Sequence, residues 1–335
     1  MKKVAINGLG RIGRLVLRHY FSNRPENLEI VAANDLTPND ELAYLIRYDS
    51  VHGNANFSVV ADSDSILMGG KKLKISNEKE PSNLPWESIG VDIVLECTGL
   101  FRRKEDASKH LQAGASKVII SAPSESADLT IVMGVNEKLY DHKNHHIISN
   151  ASCTTNSLAP VVKVLNDNFG IESLMVTTIH AYTASQALVD RPARKRRRGR
   201  AAAVSLIPTT TGAAKATAMV IPELKGKMDA IAVRAPIPDG ALTDIVANLK
   251  NNVSVESVNE ALEEASNGEL KGILEYNDDE VVSSDIINNP HSGIIDAPST
   301  KVVLNKVAKV LVWYDNEYGY ARRMLDLAEF ISDRM

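Results

Sequence analysis

The sequence predicts an α/β chain in two parts. Strands alternate with helices over a parallel sheet in the first part, and strands gather with few helices in an α+β second part. Three observations predict it. Short apolar runs alternate with amphipathic helical stretches over the first 150 residues. A glycine-rich turn closes the first of those runs. After Cys153, alternating strand-like runs take over. A length of 335 residues fits about two domains at roughly 100–200 residues each.

In chain order, Val4–Ile6 reads as a short strand, and Ile12, Leu15, Val16 and Tyr20 fall on one face of the helix that follows. Glu29–Ala33 reads as a second strand, closed by Asn34 and Asp35. Val91–Cys97 and Lys117–Ser121 read as buried strands, with a helix over Ala107–Ala113 between them and Gly114 as its C-terminal stop. Thr155–Asn168 is helical, presenting Leu158, Val161, Val162 and Leu165 and ending at Gly170. Strands are expected at Ser173–Ile179, Asp229–Ala235, Thr243–Leu249 and Lys309–Tyr314. A helix over Val255–Ala265 is expected behind a Ser254 N-cap. A last helix, Tyr320–Ile331, presents Met324, Leu327, Ala328 and Ile331, and pattern alone does not say where it docks.

Composition narrows the function. Apolar residues make up 44% and charged residues 24%, which excludes a disordered chain. The formal net charge of −4 argues against a generally basic nucleic-acid binder. That charge is uneven: Arg191–Arg200 reads RPARKRRRGR, and without its seven cations 31 basic residues would face 42 acidic ones, a balance of −11. Two cysteines, Cys97 and Cys153, exclude a disulfide framework and a four-cysteine zinc site, and fit a reducing, cytoplasmic setting. No run reaches the roughly 18 apolar residues of a membrane span, and Val4–Ile6 is too short for a signal-peptide core.

Gly8-Leu9-Gly10-Arg11-Ile12-Gly13 is a G-x-G-x-x-G between a strand and a helix. Glycines there allow a tight turn and close approach of a pyrophosphate to a helix N-terminus. Asp35 lies 22 residues after Gly13, where a carboxylate accepts from the ribose hydroxyls of NAD and repels the extra phosphate of NADP. The plainer reading is a glycine turn with no ligand.

Cys153 sits in Ser149-Asn150-Ala151-Ser152-Cys153-Thr154-Thr155-Asn156. Small polar neighbours leave room for a ligand, and a helix N-terminus favours thiolate. The alternative is a buried cysteine acting as a small hydrophobe, which is the reading taken for Cys97. His180 ends a strand-like run 27 residues later, far enough for a helix and a returning strand to bring an imidazole to the thiol. A structural histidine is the alternative. Arg234 shares a strand face with Ala230 and Ala232, so its guanidinium has room for an anion or for an ordinary salt bridge. Thr209-Thr210-Thr211-Gly212 is a hydroxyl-rich turn suited to phosphate or to capping a helix. The basic run reads as a solvated surface, a nucleic-acid patch or an anion-handling loop; no aromatic residue interleaves it, which weakens a base-stacking role.

Together these segments resemble the phosphorylating glyceraldehyde-3-phosphate dehydrogenases from end to end. The resemblance rests on Val4–Arg14, Tyr48–Gly53, Ser149–Asn156, His180–Thr183, Thr209–Ala214 and Trp313–Tyr320. It implies a Rossmann-type doubly wound parallel sheet plus an α+β catalytic domain with a mostly antiparallel sheet. The expected domains are 1–151, completed by a C-terminal helix over 318–335, and 152–317, which includes the 183–205 basic loop. It implies a Cys153 thiohemiacetal with glyceraldehyde 3-phosphate, His180 as base, hydride transfer to NAD, and a thioester cleaved by inorganic phosphate to 1,3-bisphosphoglycerate. It assigns Thr183 and Arg234 to the substrate phosphate, and Ser152, Thr154, Thr211 and Gly212 to inorganic phosphate, with Arg198 a further candidate. Gly8, Gly10, Arg11, Ile12, Gly13, Asp35, Lys79, Thr98 and Ser121 are expected to bind the cofactor, with Asn316 and Tyr320 at the nicotinamide. It also implies a homotetramer in which the basic loop reaches a neighbouring subunit's cofactor.

Three positions depart from the family pattern. Ser157 stands where many members have a second cysteine, Lys79 where many have an arginine, and Arg191 where NAD-specific bacterial members often have leucine. Lys79 and Arg191 can receive a 2′-phosphate while Asp35 opposes one, so NAD preference with some NADP use is expected. The enzymatic rival is erythrose-4-phosphate dehydrogenase, whose acyl intermediate goes to water. No metal is called for, no membrane is expected, and nucleic acid is not expected as the main partner.

Overall fold

The computed structural model describes all residues from Met1 to Met335. It divides into two compact units: residues 1–131, 137–152 and 321–335, and residues 132–136 and 153–320.

The first unit opens with β1 (Lys2–Asn7), α1 (Arg11–Ser22), β2 (Leu28–Asn34) and α2 (Asn39–Arg47). Leu15, Val16 and Tyr20 of α1 are buried as their spacing predicts. β3 (Val59–Ala61), β4 (Ser65–Met68) and β5 (Lys71–Ser76) follow as an antiparallel arm, which the plain strand–helix alternation did not anticipate. Gly69 and Gly70, both at positive φ, turn β4 into β5. α3 (Trp86–Ile89), β6 (Ile93–Glu96), α4 (Lys104–Gln112), β7 (Lys117–Ile120), β8 (Leu129–Thr130) and β9 (Ile147–Ser149) complete the series. The sheet runs β3-β4-β5-β2-β1-β6-β7-β9-β8 and is parallel from β5 onward. Its central strands are buried on both faces, as helices on each side require. Gly114, at φ 105°, stops the chain after α4, whose start at Lys104 is earlier than the apolar pattern alone marks.

In the second unit α5 (Cys153–Phe169) leads into β10 (Ile171–Ala181) through Gly170, at φ 66°. β11 (Ile207–Thr210), α6 (Ala213–Val220), β12 (Met228–Ala235), β13 (Ala241–Leu249), α7 (Val255–Asn267), β14 (Leu274–Asn277), β15 (Gly293–Val303), β16 (Val307–Tyr314) and α8 (Tyr318–Ser332) follow. The sheet order is β11-β12-β10-β13-β16-β15-β14. Only β10–β12 and β14–β15 pair in parallel, so the sheet is mostly antiparallel, as expected. Ser254 caps α7 with a reciprocal bond to Ser257. From Ala321 onward α8 belongs to the first unit, where the Glu329 carbonyl accepts from Asn27 Nδ2 at 3.0 Å and Ser332 Oγ donates to the Asn27 carbonyl at 2.8 Å.

Candidate active site

In the first unit a cleft of about 570 Å³ opens at the C-terminal ends of β1, β2 and β6, where an open parallel sheet places its ligands. Its walls include Gly8, Gly10, Asp35, Lys79, Cys97 and Thr98. The three motif glycines have separate causes. Gly8 sits at φ 94°, and a Cβ there would meet the Thr98 backbone N at 2.7 Å. A Cβ on Gly13 would strike the Gly8 carbonyl oxygen at 2.1 Å. At Gly10 a Cβ would point into open space, the room a ligand's phosphates need beside the first turn of α1.

Asp35 is held rather than loose: Oδ2 accepts Leu9 N–H at 2.7 Å and Oδ1 accepts Thr37 N–H at 2.9 Å. Each oxygen keeps a lone pair for a ribose hydroxyl. Arg11 differs from the expectation for a cofactor-facing side chain. Its guanidinium pairs with Asp49 through both terminal nitrogens. Burial raises the Asp49 carboxyl, but the His52 N–H, Arg11 and the Val51 N–H outweigh it and hold Asp49 at about 2. What remains to Arg11, and to Ile12 beside it, is backbone at the helix start. Cys97, read from the sequence as a packing residue, also lines the cleft. Burial and then the Glu96 carboxylate push its thiol to about 12, so it is inert there. Ser121 follows β7, and its N–H donates to the Glu96 carbonyl at 2.9 Å.

In the second unit Cys153 is the first residue of α5, and its Sγ lies 3.5 Å from Nε2 of His180 near the end of β10. His180 and Arg234 are register partners on β10 and β12. The Ala181 carbonyl is 2.8 Å from His180 Nδ1 and accepts from Arg234 Nη1 at 2.7 Å. Arg234 Nη1 also lies 2.7 Å from His180 Nδ1. The Ala181 carbonyl calls for a proton on Nδ1, the tautomer that leaves Nε2 bare toward the thiol, whereas Arg234 Nη1, a donor only, calls for a bare Nδ1. Burial and then the Arg234 charge push His180 down to about 3. Burial pushes the Cys153 thiol up, against the Arg234 charge and the Thr154 contacts. Both shifts favour the uncharged forms, a thiol and a neutral imidazole, and so oppose the thiolate that a helix N-terminus favours.

Arg234 Nε is buried with no partner, an N–H fit for an anion's oxygen. Thr154 is 4% exposed, and its hydroxyl meets Tyr314 Oη at 3.0 Å. Tyr314, buried at the end of β16, also meets the Thr178 hydroxyl at 2.8 Å and stands edge-on to His180. Its part in this site was not read from the sequence; the alternation of β16 placed it in the core, but nothing local showed what its hydroxyl meets. Arg198 Nε donates to Thr209 Oγ1 at 3.0 Å and Lys195 Nζ to Thr210 Oγ1 at 2.5 Å, which ties the basic loop to the threonine turn. Thr211 Oγ1 accepts Ala213 N–H at 3.2 Å beside Gly212, the N-cap of α6. Thr183 instead meets Ser185 at 2.9 Å. Asn316 is 5% exposed; its N–H donates to Asp239 at 3.2 Å, while its Oδ1 is buried without a donor. Tyr320 is buried in the first turn of α8. Ser152, partly exposed, immediately precedes the cysteine. The residue before it, Ala151, holds φ 54°, a left-handed turn that a non-glycine residue adopts at a cost of about 1–2 kcal/mol.

The chain matches two family profiles: glyceraldehyde 3-phosphate dehydrogenase, NAD binding domain, over residues 2–104, and glyceraldehyde 3-phosphate dehydrogenase, C-terminal domain, over residues 152–316. It is 53% identical to the glyceraldehyde-3-phosphate dehydrogenase of Geobacillus stearothermophilus over 332 residues, covering 99% of this chain and 98% of that protein. The chain belongs to the glyceraldehyde-3-phosphate dehydrogenase family. Similar relatives are glyceraldehyde-3-phosphate dehydrogenase of Priestia megaterium, 53% identical over 98% of both chains, and glyceraldehyde-3-phosphate dehydrogenase 1 of Bacillus subtilis, 53% identical over 99% of this chain and 98% of that one.

The NAD-binding half of this dehydrogenase fits its cofactor on two counts. The space at Gly10 suits the phosphates, and the fixed Asp35 suits a ribose. In the C-terminal half, the bare Asn316 Oδ1 suits an amide N–H such as the nicotinamide carboxamide offers. No helix is long and apolar enough to cross a membrane.

Proposed function

We propose that the protein catalyses the NAD-dependent oxidative phosphorylation of D-glyceraldehyde 3-phosphate to 1,3-bisphosphoglycerate. The observation that carries this reading is Cys153 at the head of α5 with Sγ 3.5 Å from a neutral His180. Bound NAD supplies the hydride acceptor. His180 Nε2 takes the thiol proton as Sγ adds to the aldehyde carbon and returns it to the former carbonyl oxygen, giving a thiohemiacetal and leaving the imidazole neutral again. Arg234 stabilises the thiolate form and offers its free Nε–H to the substrate phosphate. His180 removes the hydroxyl proton as the adduct is oxidised to the thioester. Inorganic phosphate, held by backbone N–H groups at the start of α5 and by the Ser152, Thr211, Gly212 and Arg198 group, then attacks the acyl carbon and returns Sγ.

The cofactor is held by the glycine loop, Asp35, Thr98 and Ser121, with Asn316 and Tyr320 serving the nicotinamide. NAD is preferred because Asp35 stands in the cleft, and Lys79 on the same wall permits some NADP use. The working division is residues 1–151 plus the last helix for cofactor, and 152–317 for catalysis. We place the enzyme in the cytoplasm, a setting that its two free cysteines suit. It assembles as a homotetramer: Leu188, Val189, Val204 and Leu206, flanking the basic run, are 77, 73, 79 and 68% exposed, the kind of apolar surface that a partner covers. The test is absorbance of reduced nicotinamide with glyceraldehyde 3-phosphate or erythrose 4-phosphate, with and without phosphate. Sustained NADH formation from the triose phosphate only with added phosphate supports the reading; phosphate-independent turnover of erythrose 4-phosphate overturns it.

A further inference from the structure

Beneath the cofactor cleft, the ends of β1, β2 and β6 share a buried polar chain with no direct role in the reaction above. Glu96, 1% exposed, is at its centre. Its Oε2 accepts Asn7 Nδ2–H at 2.6 Å and lies 3.0 Å from His110 Nε2. Its Oε1 accepts the Thr98 N–H at 2.8 Å and also the Thr98 hydroxyl. Asn7 directly precedes Gly8, and its Oδ1 accepts from Asn34 Nδ2 at 2.8 Å. Asn34 then binds both the carbonyl and the N–H of Glu78, each at 2.9 Å, next to Lys79. One carboxylate thus ties together the glycine loop, the Thr98 turn and the 78–80 segment, three walls of the cleft.

The orientation of that carboxylate is itself fixed. The Trp86 indole N–H lies 3.1 Å from His110 Nδ1, and an indole can only donate. Nδ1 must therefore accept, which puts the ring proton on Nε2, aimed at Glu96. Trp86 and His110 are both fully buried, so neither bond competes with water. Burying a carboxylate here is costly unless every lone-pair direction is used, and four donors use them. A leucine or glutamine of similar size would fill the volume without holding the two turns together.

We propose that Glu96 is a positioning residue for the dinucleotide, aimed by the Trp86–His110 pair, and that it sets the spacing between the Gly8 loop and the Thr98 turn. The proposal rests on the NAD reading above. Glu96→Gln tests it, because whichever way the amide turns, its NH₂ faces donors on one side. Equilibrium dialysis of the full chain with NAD should show affinity weakened by about tenfold or more. At saturating NAD, kcat should stay within about threefold of wild type, the split expected of lost binding rather than lost chemistry. The chain has two tryptophans and so two indole N–H resonances. The one absent from Trp86→Phe should move in Glu96→Gln without cofactor. A folded Glu96→Gln protein that binds NAD like wild type overturns the proposal. Should that variant fail to fold, Trp86→Phe decides: weakened NAD binding supports the proposal, and unchanged binding overturns it. A wild-type chain that binds no NAD refutes the cofactor reading instead.

Discussion

Replacing Arg234 with leucine separates the two jobs given to its charge. His180 stands at about 3 rather than 6.5, with burial the larger cause and Arg234 the next. A full charge this close to a titrating group typically moves it by about 1–3 pH units, each about 1.4 kcal/mol. The same cation favours the Cys153 thiolate, so its removal raises a thiol that burial has already raised. His180 would rise as well, but burial, the larger cause of its displacement, remains and keeps it neutral at pH 7.5 and able to accept a proton. The assay is the rate of iodoacetamide alkylation of the ligand-free chain against pH, with Cys153→Ala as background. Cys97, at about 12, reacts too slowly to interfere. At pH 7.5 the Arg234→Leu rate should fall about tenfold, and its profile should shift to higher pH. An unchanged or faster rate would refute the electrostatic role given to Arg234.

Two further perturbations probe other parts of the account. Gly13→Ala drives a Cβ against the Gly8 carbonyl, so it should destabilise the first unit by about 1–3 kcal/mol and abolish NAD binding measured by dialysis, while Cys153 alkylation is unchanged; normal NAD affinity would contradict the glycine reading. Burial and then Asp315 push Asp239 up to about 9. Its folded value lies above its unfolded one, so the stability it contributes is complete below about pH 4 and is lost as pH rises toward 9. Asp239→Asn keeps an oxygen for the Asn316 and Gly240 N–H groups and should remove that slope, at most about 1.4 kcal/mol per pH unit, in urea unfolding between pH 6 and 8.5. Parallel pH curves for variant and wild type would contradict it.

The elements that periodicity made legible are those with one buried face or a clear stop. α1, α7 and β10 follow from apolar spacing, the Ser254 cap and alternation. The β3–β5 arm was illegible because its strands are short, partly exposed and interrupt the strand–helix rhythm. The glycine loop was readable because Gly8 and Gly13 answer local steric demands and Gly10 leaves open space beside the helix start. The Cys153–His180–Arg234 grouping was not readable from spacing alone. It depends on β10 and β12 pairing in parallel with a register that sets His180 beside Arg234, and on α5 starting at the cysteine. The resemblance named those residues, but only the fold shows that burial raises the thiol and lowers the imidazole, while the Arg234 charge lowers the imidazole further and opposes the rise of the thiol. Glu96 and His110 escaped notice because a lone glutamate ending a strand and a histidine on a short helix carry no sequence signal of their pairing.

The central claim is a covalent acyl intermediate on Cys153. Intact-protein and peptide mass spectrometry after mixing the chain with glyceraldehyde 3-phosphate and NAD, without phosphate, tests it directly. One phosphoglyceroyl adduct per chain is expected, confined to the Cys153 peptide, discharged by inorganic phosphate and absent from Cys153→Ala. Phosphate-dependent NADH formation by Cys153→Ala, or an acyl adduct on any other residue, would contradict it.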